Sequence, residues 1–402
     1  MSSPVRKYSL PTLLLAVLVA ACTSNSTPPP PATASSAFPT SAVDFSPAAP
    51  PAASESAAPT ASTTTAGGAV LENAVTRYLL RFNSNNLRAV LVSVDGRSVM
   101  ERYTGAGPDR AWNVGAVTDS VVATLVGIAV DEGTLGGLDN TLAVMLPAFA
   151  PKMVPEVGRI TLRQLLTMTA GFPESYEETF ASGPGRVQTV DEILATKGLN
   201  TPGSFAYNNA APHLLSAILA QATGQSVLDY ARAKLFDPLG ISTRPAAEPI
   251  AQPSNVAAYE AAAFAWPTDS DGLHLGSAFL KLTPADLLRL GQLYLDKGRW
   301  NGAQLVSSAW IADATAEHTT TDNFGPDGGY GFHWWRVEVD GEPAFVAAGL
   351  GGNLIEVVPG KSLVVVVATE SHFDPATGGG SGDCCDPRAM VQMVSAAIVP
   401  NL

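Results

Sequence analysis

The most informative segment of this chain lies at residues 111–133, with the sequence AWNVGAVTDSVVATLVGIAVDEG. Apolar residues fill most positions from Ser120 to Val130, and the run ends at an acidic pair followed by Gly133. This pattern predicts a helix that is buried over most of its circumference.

Periodic patterns on both sides of the buried helix predict one mixed domain. Helical spacing over Val70–Leu80 precedes two β-rich runs, Ala89–Val94 and Ser98–Tyr103, which flank the turn dipeptide Asp95-Gly96. Helical patterns recur between Ile160 and Leu239. Three β-branched runs and a last helix follow near the C-terminus, at residues 344–348, 354–358, 363–368 and 389–398. We therefore expect an α+β fold of the α/β sandwich type. Its antiparallel sheet is built from both termini, flanked by helices, and a mostly helical lobe is inserted between them.

Composition narrows the classes of function. The chain has 402 residues, of which 46% are hydrophobic and 15% charged, enough for a large core in one domain or two closely packed lobes. A net charge of −13 argues against nucleic acid as a partner. Three cysteines form no disulfide framework, and no histidine or cysteine spacing is typical of zinc. We expect neither a metal nor a cofactor.

The first part of the chain is typical of export and anchoring. Residues 1–21 combine the basic pair Arg6-Lys7 with the apolar run Leu10–Val19, and small residues precede Cys22. This segment resembles a bacterial lipoprotein signal peptide, which implies cleavage before Cys22 and a lipid on its sulfur. An ordinary signal peptide or a signal anchor is the alternative. Residues 22–68 are rich in Ser, Thr, Pro and Ala and predict a disordered tether, which leaves residues 69–402 as the folded domain.

Two further groups of residues receive no catalytic role. The five histidines are scattered along the chain, and a lone histidine beside apolar residues is usually a hydrogen-bonded structural group. Cys384 and Cys385 follow a glycine-rich segment. In an oxidising compartment they are predicted to form an adjacent disulfide; free thiols or a bond between chains are the alternatives.

Seven short motifs occur in the order of one known family. They are Ala111–Val121, Ile160–Gly171, Thr201–Asn209, Leu235–Ile241, Leu282–Asp286, Tyr330–Trp335 and Gly349–Gly352. On these motifs the chain resembles the serine β-lactamase and penicillin-binding-protein superfamily, in its class C branch with related esterases and amide hydrolases. The resemblance implies a β-lactamase/transpeptidase-like fold over residues 69–402.

The same resemblance implies that the nucleophile motif is altered. The superfamily places an S-x-x-K motif at the start of the buried helix, where the serine attacks a carbonyl and the lysine helps to accept its proton. The matching positions here are Ala116 and Asp119. A methyl group is not a nucleophile, and Ser120, one turn further on, is followed at the i+3 position by Ala123. Asp119 also fits a structural role at the positive end of the helix dipole.

Two more motifs of the superfamily have counterparts. The Y-x-N motif corresponds to Tyr207 and Asn209, for which the resemblance implies proton transfer and a hydrogen bond to a substrate amide. A role in holding the cleft wall is the alternative for both residues. The third motif, a strand segment with Lys or His before Thr/Ser-Gly, corresponds to Gly349, Leu350, Gly351 and Gly352, with Leu350 at the basic position. The resemblance assigns this segment to ligand binding, with an oxyanion hole built from backbone donors of Ala116 and about Gly352.

Together these features predict a catalytically impaired protein of the bacterial cell envelope. It would be lipid-anchored on the outer face of the cytoplasmic membrane, or on a periplasmic or extracellular membrane face. Its retained cleft would bind a cell-wall peptide or a small acyl ligand, as the resemblance implies. The first alternative is an active serine hydrolase with a displaced nucleophile such as Ser120. The second is a structural envelope protein in which the cleft residues only pack.

Overall fold

A helix and a β-hairpin open the folded part of the chain, as the sequence predicts. The computed structural model describes residues 66–82, 84–174, 188–244, 256–325, 328–370, 372–373, 380–381 and 386–402. Helix α1 spans Ala66–Leu79, followed by strands β1 (Leu87–Val94) and β2 (Arg97–Tyr103). Asp95 and Gly96 join the strands with φ angles of 51° and 70°. Such paired positive φ angles are typical of a two-residue hairpin turn.

The other six strands of the main sheet come from the C-terminal part of the chain. They are β7 (Thr319–Thr320), β8 (Gly329–Tyr330), β9 (Trp335–Val339), β10 (Glu342–Gly349), β11 (Asn353–Val358) and β12 (Leu363–Thr369). The strand order is β2-β1-β12-β11-β10-β9-β8-β7, and every neighbouring pair is antiparallel. Strand β12 therefore pairs with β1, and the predicted sheet built from both termini is confirmed.

Helix α11 (Pro284–Leu295) packs closely on the centre of this sheet. Gly291 makes the contact possible, because a Cβ at this position would lie 2.5 Å from Val364 Cγ1 and 2.8 Å from Ile355 Cγ2. At the ends of the domain, α1 contacts the C-terminal helix α13 (Pro387–Met393), which continues as a π-helix over Val394–Ile398. The Tyr78 hydroxyl donates a hydrogen bond of 2.8 Å to the Ala389 carbonyl.

A helical lobe separates the first strands from the later ones, also as predicted. Its two edges meet where β3 (Trp112–Asn113) pairs with β4 (Lys281–Leu282). Between them lie α2 (Val117–Asp131), α3 (Leu142–Met145), α4 (Pro155–Gly158), α5 (Leu162–Leu166), α6 (Val190–Leu194), α7 (Ala210–Thr223), α8 (Val227–Ala231), α9 (Asp237–Leu239) and α10 (Val256–Ala261). The predicted buried helix is α2, whose residues from Val117 to Ala129 are all buried.

Short elements complete the fold. Strands β5 (Arg299–Trp300) and β6 (Ala303–Gln304) form a hairpin before helix α12 (Ser308–Ala314), and β13 (His372–Phe373) pairs with β14 (Gly380–Ser381). Within the described ranges, no helix has the length and apolar character needed to cross a bilayer. The predicted signal peptide, most of the predicted tether, Cys22 and the pair Cys384-Cys385 lie outside the described residues.

Candidate functional site

Ala116 lies at the start of α2, where the resemblance places a nucleophilic serine. It is the residue before the first helical turn, with φ −72° and ψ 2°. Its side chain is half-buried and consists of one methyl group. Neither a hydroxyl nor a thiol is therefore present at this position to attack a carbonyl carbon.

The end of β10 lies directly against the backbone that precedes α2. A Cβ at Gly349 would lie 2.2 Å from the Val114 carbonyl oxygen and 3.1 Å from the Ala116 nitrogen. A Cβ at Gly115 would lie 2.9 Å from the Leu350 nitrogen. Glycine at both positions permits this approach, which brings the Ala116 and Leu350 amides into one region. Two neighbouring backbone N–H groups can polarise a carbonyl or bind a carboxylate.

Gly351 and Gly352 form the turn that leads from β10 into β11. Their φ angles are 77° and 92°, which lie in the left-handed region that favours glycine. Both glycines are buried, whereas the Leu350 side chain is 52% exposed. Of the four predicted binding residues, Gly349 and Leu350 thus adjoin Ala116, and the other two shape the turn. The sequence prediction named about Gly352 as the second donor, whereas these contacts place the Leu350 nitrogen beside the segment before α2.

Asn353 is a residue of this region that sequence reasoning did not single out. Its Nδ2 donates hydrogen bonds of 3.1 Å to the carbonyls of Asn113 and Leu350, and its Oδ1 accepts one from the Thr369 amide. It is completely buried. Asn353 therefore ties the glycine turn to the segment before α2. A single amide at the start of an apolar strand was the available signal.

Asp119 and Tyr207 meet beneath the start of α2. Their side chains are buried, and the Tyr207 hydroxyl donates a hydrogen bond of 2.7 Å to Asp119 Oδ2. The Tyr207 ring is stacked on Trp335, with ring centroids 5.7 Å apart. Burial raises the pKa of the Asp119 carboxyl, and His333 and Tyr207 oppose that rise. Asp119 lies in the first turn of α2, and no side chain caps this helix at Ala116.

His333 is the second residue that sequence reasoning missed, since we predicted only structural roles for the histidines. Its Nδ1 lies 3.9 Å from Asp119 Oδ2, and the residue is 2% exposed. Its backbone has a φ of +59°, which is unusual for a residue other than glycine. A histidine between aromatic residues in Tyr330–Trp335 did not by itself indicate a partner far away in the chain.

The other residues of the second motif have structural contacts. Asn208 Oδ1 accepts a hydrogen bond of 2.9 Å from the Ala211 amide, and its Nδ2 donates one of 2.8 Å to the Ala206 carbonyl. Asn208 thus satisfies a free amide at the start of α7. Asn209 is the buried N-cap residue of the same helix, and its side chain makes no capping hydrogen bond. Of the two predicted residues, Tyr207 contacts Asp119 directly.

Ser120, the proposed displaced nucleophile, is buried and faces a backbone carbonyl. Its Oγ donates a hydrogen bond of 2.6 Å to the oxygen of His333. A hydroxyl whose proton is held by an amide carbonyl has no base to activate it. In the described ranges, no group of three or more histidine, cysteine, aspartate or glutamate side chains is arranged to hold a metal ion.

Comparison with known proteins agrees with this geometry. A sequence profile of the family described as Beta-lactamase matches residues 88–379. The chain is 27% identical over 307 residues to penicillin-binding protein 4 of Amycolatopsis lactamdurans, covering 70% of this chain and 80% of that protein. It is 25% identical over 315 residues to the 6-aminohexanoate-dimer hydrolase of Paenarthrobacter ureafaciens, covering 70% and 72% respectively.

The fold is also found among solved structures. The octameric penicillin-binding protein homologue of Pyrococcus abyssi superimposes with a TM-score of 0.61 at 18% identity, over 81% of this chain and 76% of that one. The profile match covers well over half of the chain and includes α2, Tyr207 and the glycine turn after β10. This protein therefore belongs to the Beta-lactamase family, with the β-lactamase/transpeptidase fold.

Proposed function

We propose that this protein is a catalytically impaired member of the Beta-lactamase family that binds a cell-wall peptide or a small acyl ligand in its cleft. The observation that carries the proposal is the methyl group of Ala116 beside the amides of Ala116 and Leu350. The groups that would hold a carbonyl or carboxylate are present, whereas the side chain that would attack it is absent.

The contacts of Asp119 and Ser120 support this proposal. Asp119 stands where the resemblance implies a lysine, and its carboxylate accepts a hydrogen bond from the Tyr207 hydroxyl. The Ser120 hydroxyl donates a hydrogen bond to the His333 carbonyl, so an active hydrolase with Ser120 as nucleophile would need a rearranged helix α2. The relatives named above give the ligand classes to try first: a penicillin, and the 6-aminohexanoate dimer.

Intact-mass analysis after exposure to benzylpenicillin and to a fluorophosphonate tests the proposal. We expect no adduct on the wild-type chain, because no activated nucleophile is present. An Ala116→Ser, Asp119→Lys, His333→Gly variant restores the nucleophile and base, and removes the imidazole that would face the new lysine. We expect an adduct on residue 116 of this variant. An adduct on the wild-type chain would refute the proposal, and peptide mapping would identify the displaced nucleophile.

Ligand binding without chemistry needs a second measurement. Thermal unfolding with benzylpenicillin or the 6-aminohexanoate dimer should show a rise in the melting temperature with ligand concentration, since a ligand that binds only the folded state stabilises it. Gly349→Leu, compared with its own transition without ligand, should show no such rise, because its side chain would enter the space beside the Ala116 amide. If neither ligand shifts the wild-type transition, the second alternative is favoured, namely a structural envelope protein in which the cleft residues only pack.

We also propose that Cys22 carries a lipid that holds the protein at the outer face of the cytoplasmic membrane. Cys22→Ser should move the protein from the membrane fraction to the soluble fraction of the cell envelope, since one or more acyl chains supply the membrane affinity. Cys384→Ser is the matched control and should leave the distribution unchanged. Metabolic labelling with a palmitate analogue gives the same comparison directly. Retention of the Cys22→Ser protein in the membrane would contradict the proposed anchor.

A further inference from the structure

Three buried polar atoms without a hydrogen-bond partner belong to two neighbouring side chains beneath the start of α2. They are Asp119 Oδ1 and the two ring nitrogens of His333. Both residues are 2% exposed. Buried polar groups are normally paired, because each unpaired one loses its hydration without compensation. Three such atoms on two neighbouring side chains therefore indicate a site whose charge state matters, rather than ordinary packing.

The backbone of His333 is held in a strained conformation by its neighbours. Its φ of +59° is unfavourable for a side chain with a Cβ. The Ser120 hydroxyl donates to its carbonyl at 2.6 Å, and its own amide donates to the Leu166 carbonyl at 3.2 Å. Helices α2 and α5 thus fix the residue from two sides. In this conformation, His333 Nδ1 lies 3.9 Å from Asp119 Oδ2, the oxygen that also accepts a hydrogen bond from the Tyr207 hydroxyl.

We infer that Asp119 and His333 form a buried acid–base pair, and that its proton occupancy sets the direction of the Tyr207 hydroxyl at the cleft. When Asp119 is ionised, the Tyr207 hydroxyl donates to its carboxylate, and the His333 ring faces that negative charge. When a proton from solvent adds to Asp119, the carboxyl O–H donates to the Tyr207 oxygen instead. The tyrosine proton then turns toward another acceptor. This pH-sensitive element adds to the proposed function and does not depend on a ligand.

Few other groups act on this pair. Of the described side chains, His333 and Tyr207 are the ones that oppose the effect of burial on the Asp119 pKa. On α2, the neighbouring buried side chains Thr118 and Ser120 do not titrate in this range. The ring of Tyr330 lies 6.2 Å from that of His333. Among the described side chains, the charge of the Asp119 carboxyl therefore depends on these two partners.

Thermal unfolding of the full chain between about pH 5 and pH 8, the range in which imidazole changes its charge, tests the pair. Because burial raises the Asp119 pKa, the folded state keeps a proton that the unfolded state has lost, so Asp119 destabilises increasingly as the pH rises. Asp119→Asn removes this dependence. His333→Gly suits the positive φ and should change the same pH profile. The double variant should add little to either single change, and Tyr207→Phe should also alter the profile.

Charge reversal gives a sharper comparison. Asp119→Lys places an ammonium beside the imidazole and should lower the melting temperature by about 5 °C or more. Adding His333→Gly should recover at least half of that loss. The pair is refuted if His333→Gly leaves the wild-type pH profile unchanged, or if the Asp119→Lys, His333→Gly variant melts no higher than Asp119→Lys alone.

Nitrogen NMR provides a readout that a purely structural role would not move. In the full chain labelled with ¹⁵N-histidine, Asp119→Asn should change the chemical shifts of the His333 ring nitrogens at a fixed pH, because the carboxyl group that faces the ring is replaced by an amide. Asp313→Asn is the control, because Asp313 lies beside His318 instead, with its Oδ1 3.3 Å from the His318 Nε2. Unchanged His333 shifts in Asp119→Asn would overturn the inference. Failure of every cleft ligand to bind would leave these results intact and would count only against the proposed function.

Discussion

At the scale of single residues, the protein tolerates several buried ionisable groups outside its cleft. Glu356 on β11 is completely buried, and neither carboxyl oxygen has a hydrogen-bond partner. Burial raises its pKa well above 4.5. Its neighbours Ile355 and Val357 face α11, so Glu356 faces the opposite side of the sheet. It is held as a neutral acid there because an isolated charge in such a place costs too much.

Glu356→Gln should change how stability depends on pH. The folded state keeps the Glu356 proton after the unfolded state has lost it, so this residue opposes folding increasingly as the pH rises above 4.5. The limit is about 1.4 kcal/mol per pH unit for one proton. The variant should therefore gain stability relative to wild type between about pH 5 and pH 8, as measured by urea unfolding. Glu338→Gln, at an exposed position on β9, is the control. A constant difference across this range would contradict the neutral state of Glu356.

Burial also disfavours the charged form of two basic groups, Lys281 and His274, and so lowers their pKa values. Lys281 Nζ donates to the carbonyls of Tyr259, Glu260 and Ala262 at 2.8–3.1 Å, and burial lowers its pKa to about 8. Burial likewise lowers the pKa of His274 to about 4, although its Nδ1 lies 2.7 Å from the Trp266 carbonyl. These residues hold loops of the helical lobe, and neither belongs to the cleft.

At the scale of elements, the cleft depends on how closely the end of β10 approaches the start of α2. That distance is set by two residues without side chains, Gly115 and Gly349. Asn353, the first residue of β11, donates a hydrogen bond to the Asn113 carbonyl, so strand β11 is joined directly to the segment before α2. The pair of amide donors is therefore a property of packed elements and requires no particular side chain at residue 350.

Gly349→Ala tests this packing. The added Cβ would lie 2.2 Å from the Val114 oxygen, so the strand or the segment before α2 must shift. We expect a loss of about 1–3 kcal/mol in the free energy of unfolding, typical of overpacking. Gly107→Ala is the matched control, because no atom lies within 4 Å of its added Cβ. Equal stability of the two variants in urea unfolding would show that β10 and the segment before α2 leave room for a Cβ at residue 349, contrary to the 2.2 Å distance.

At the scale of the whole molecule, the pairing of β1 with β12 in the main sheet links the two ends of the domain. Strand β12 lies between β1 and β11, and all seven of its residues are buried. Its position makes the N-terminal hairpin dependent on the last part of the chain. The helical lobe begins and ends at the β3–β4 pair. It is therefore inserted into a sheet whose strands come from both ends of the domain.

A chain that stops at Gly360 should therefore fail to fold cooperatively. It lacks β12 and α13, and strands β1 and β11 would each expose an unpaired edge. We expect no sigmoidal thermal transition by circular dichroism and rapid proteolysis. Removal of Asn401 and Leu402 alone is the control and should change little, since Leu402 is 54% exposed. A cooperative transition in the shorter chain would show that the hairpin and lobe fold independently of β12.

Much of this architecture follows from local pattern. The apolar run in Ser120–Val130, the Asp95-Gly96 turn and the β-branched runs near the C-terminus each predicted their element to within a few residues, because periodicity and turn chemistry act over short distances. The order of the seven motifs indicated the family. Ala116 could also be identified from the sequence, since the substitution concerns one side chain in a short motif.

Other features required the tertiary structure. The contact of Asp119 with His333, the commitment of Ser120 to a backbone carbonyl and the approach of Gly349 to Ala116 join residues far apart in the chain. Such contacts depend on how helices and strands pack, and no local pattern encodes the distance between them. The sequence by itself thus determined the elements, the family and the alanine at the position where the resemblance places the nucleophile. Only packing decided which buried charges meet beneath the cleft, because burial and distance together set their energies.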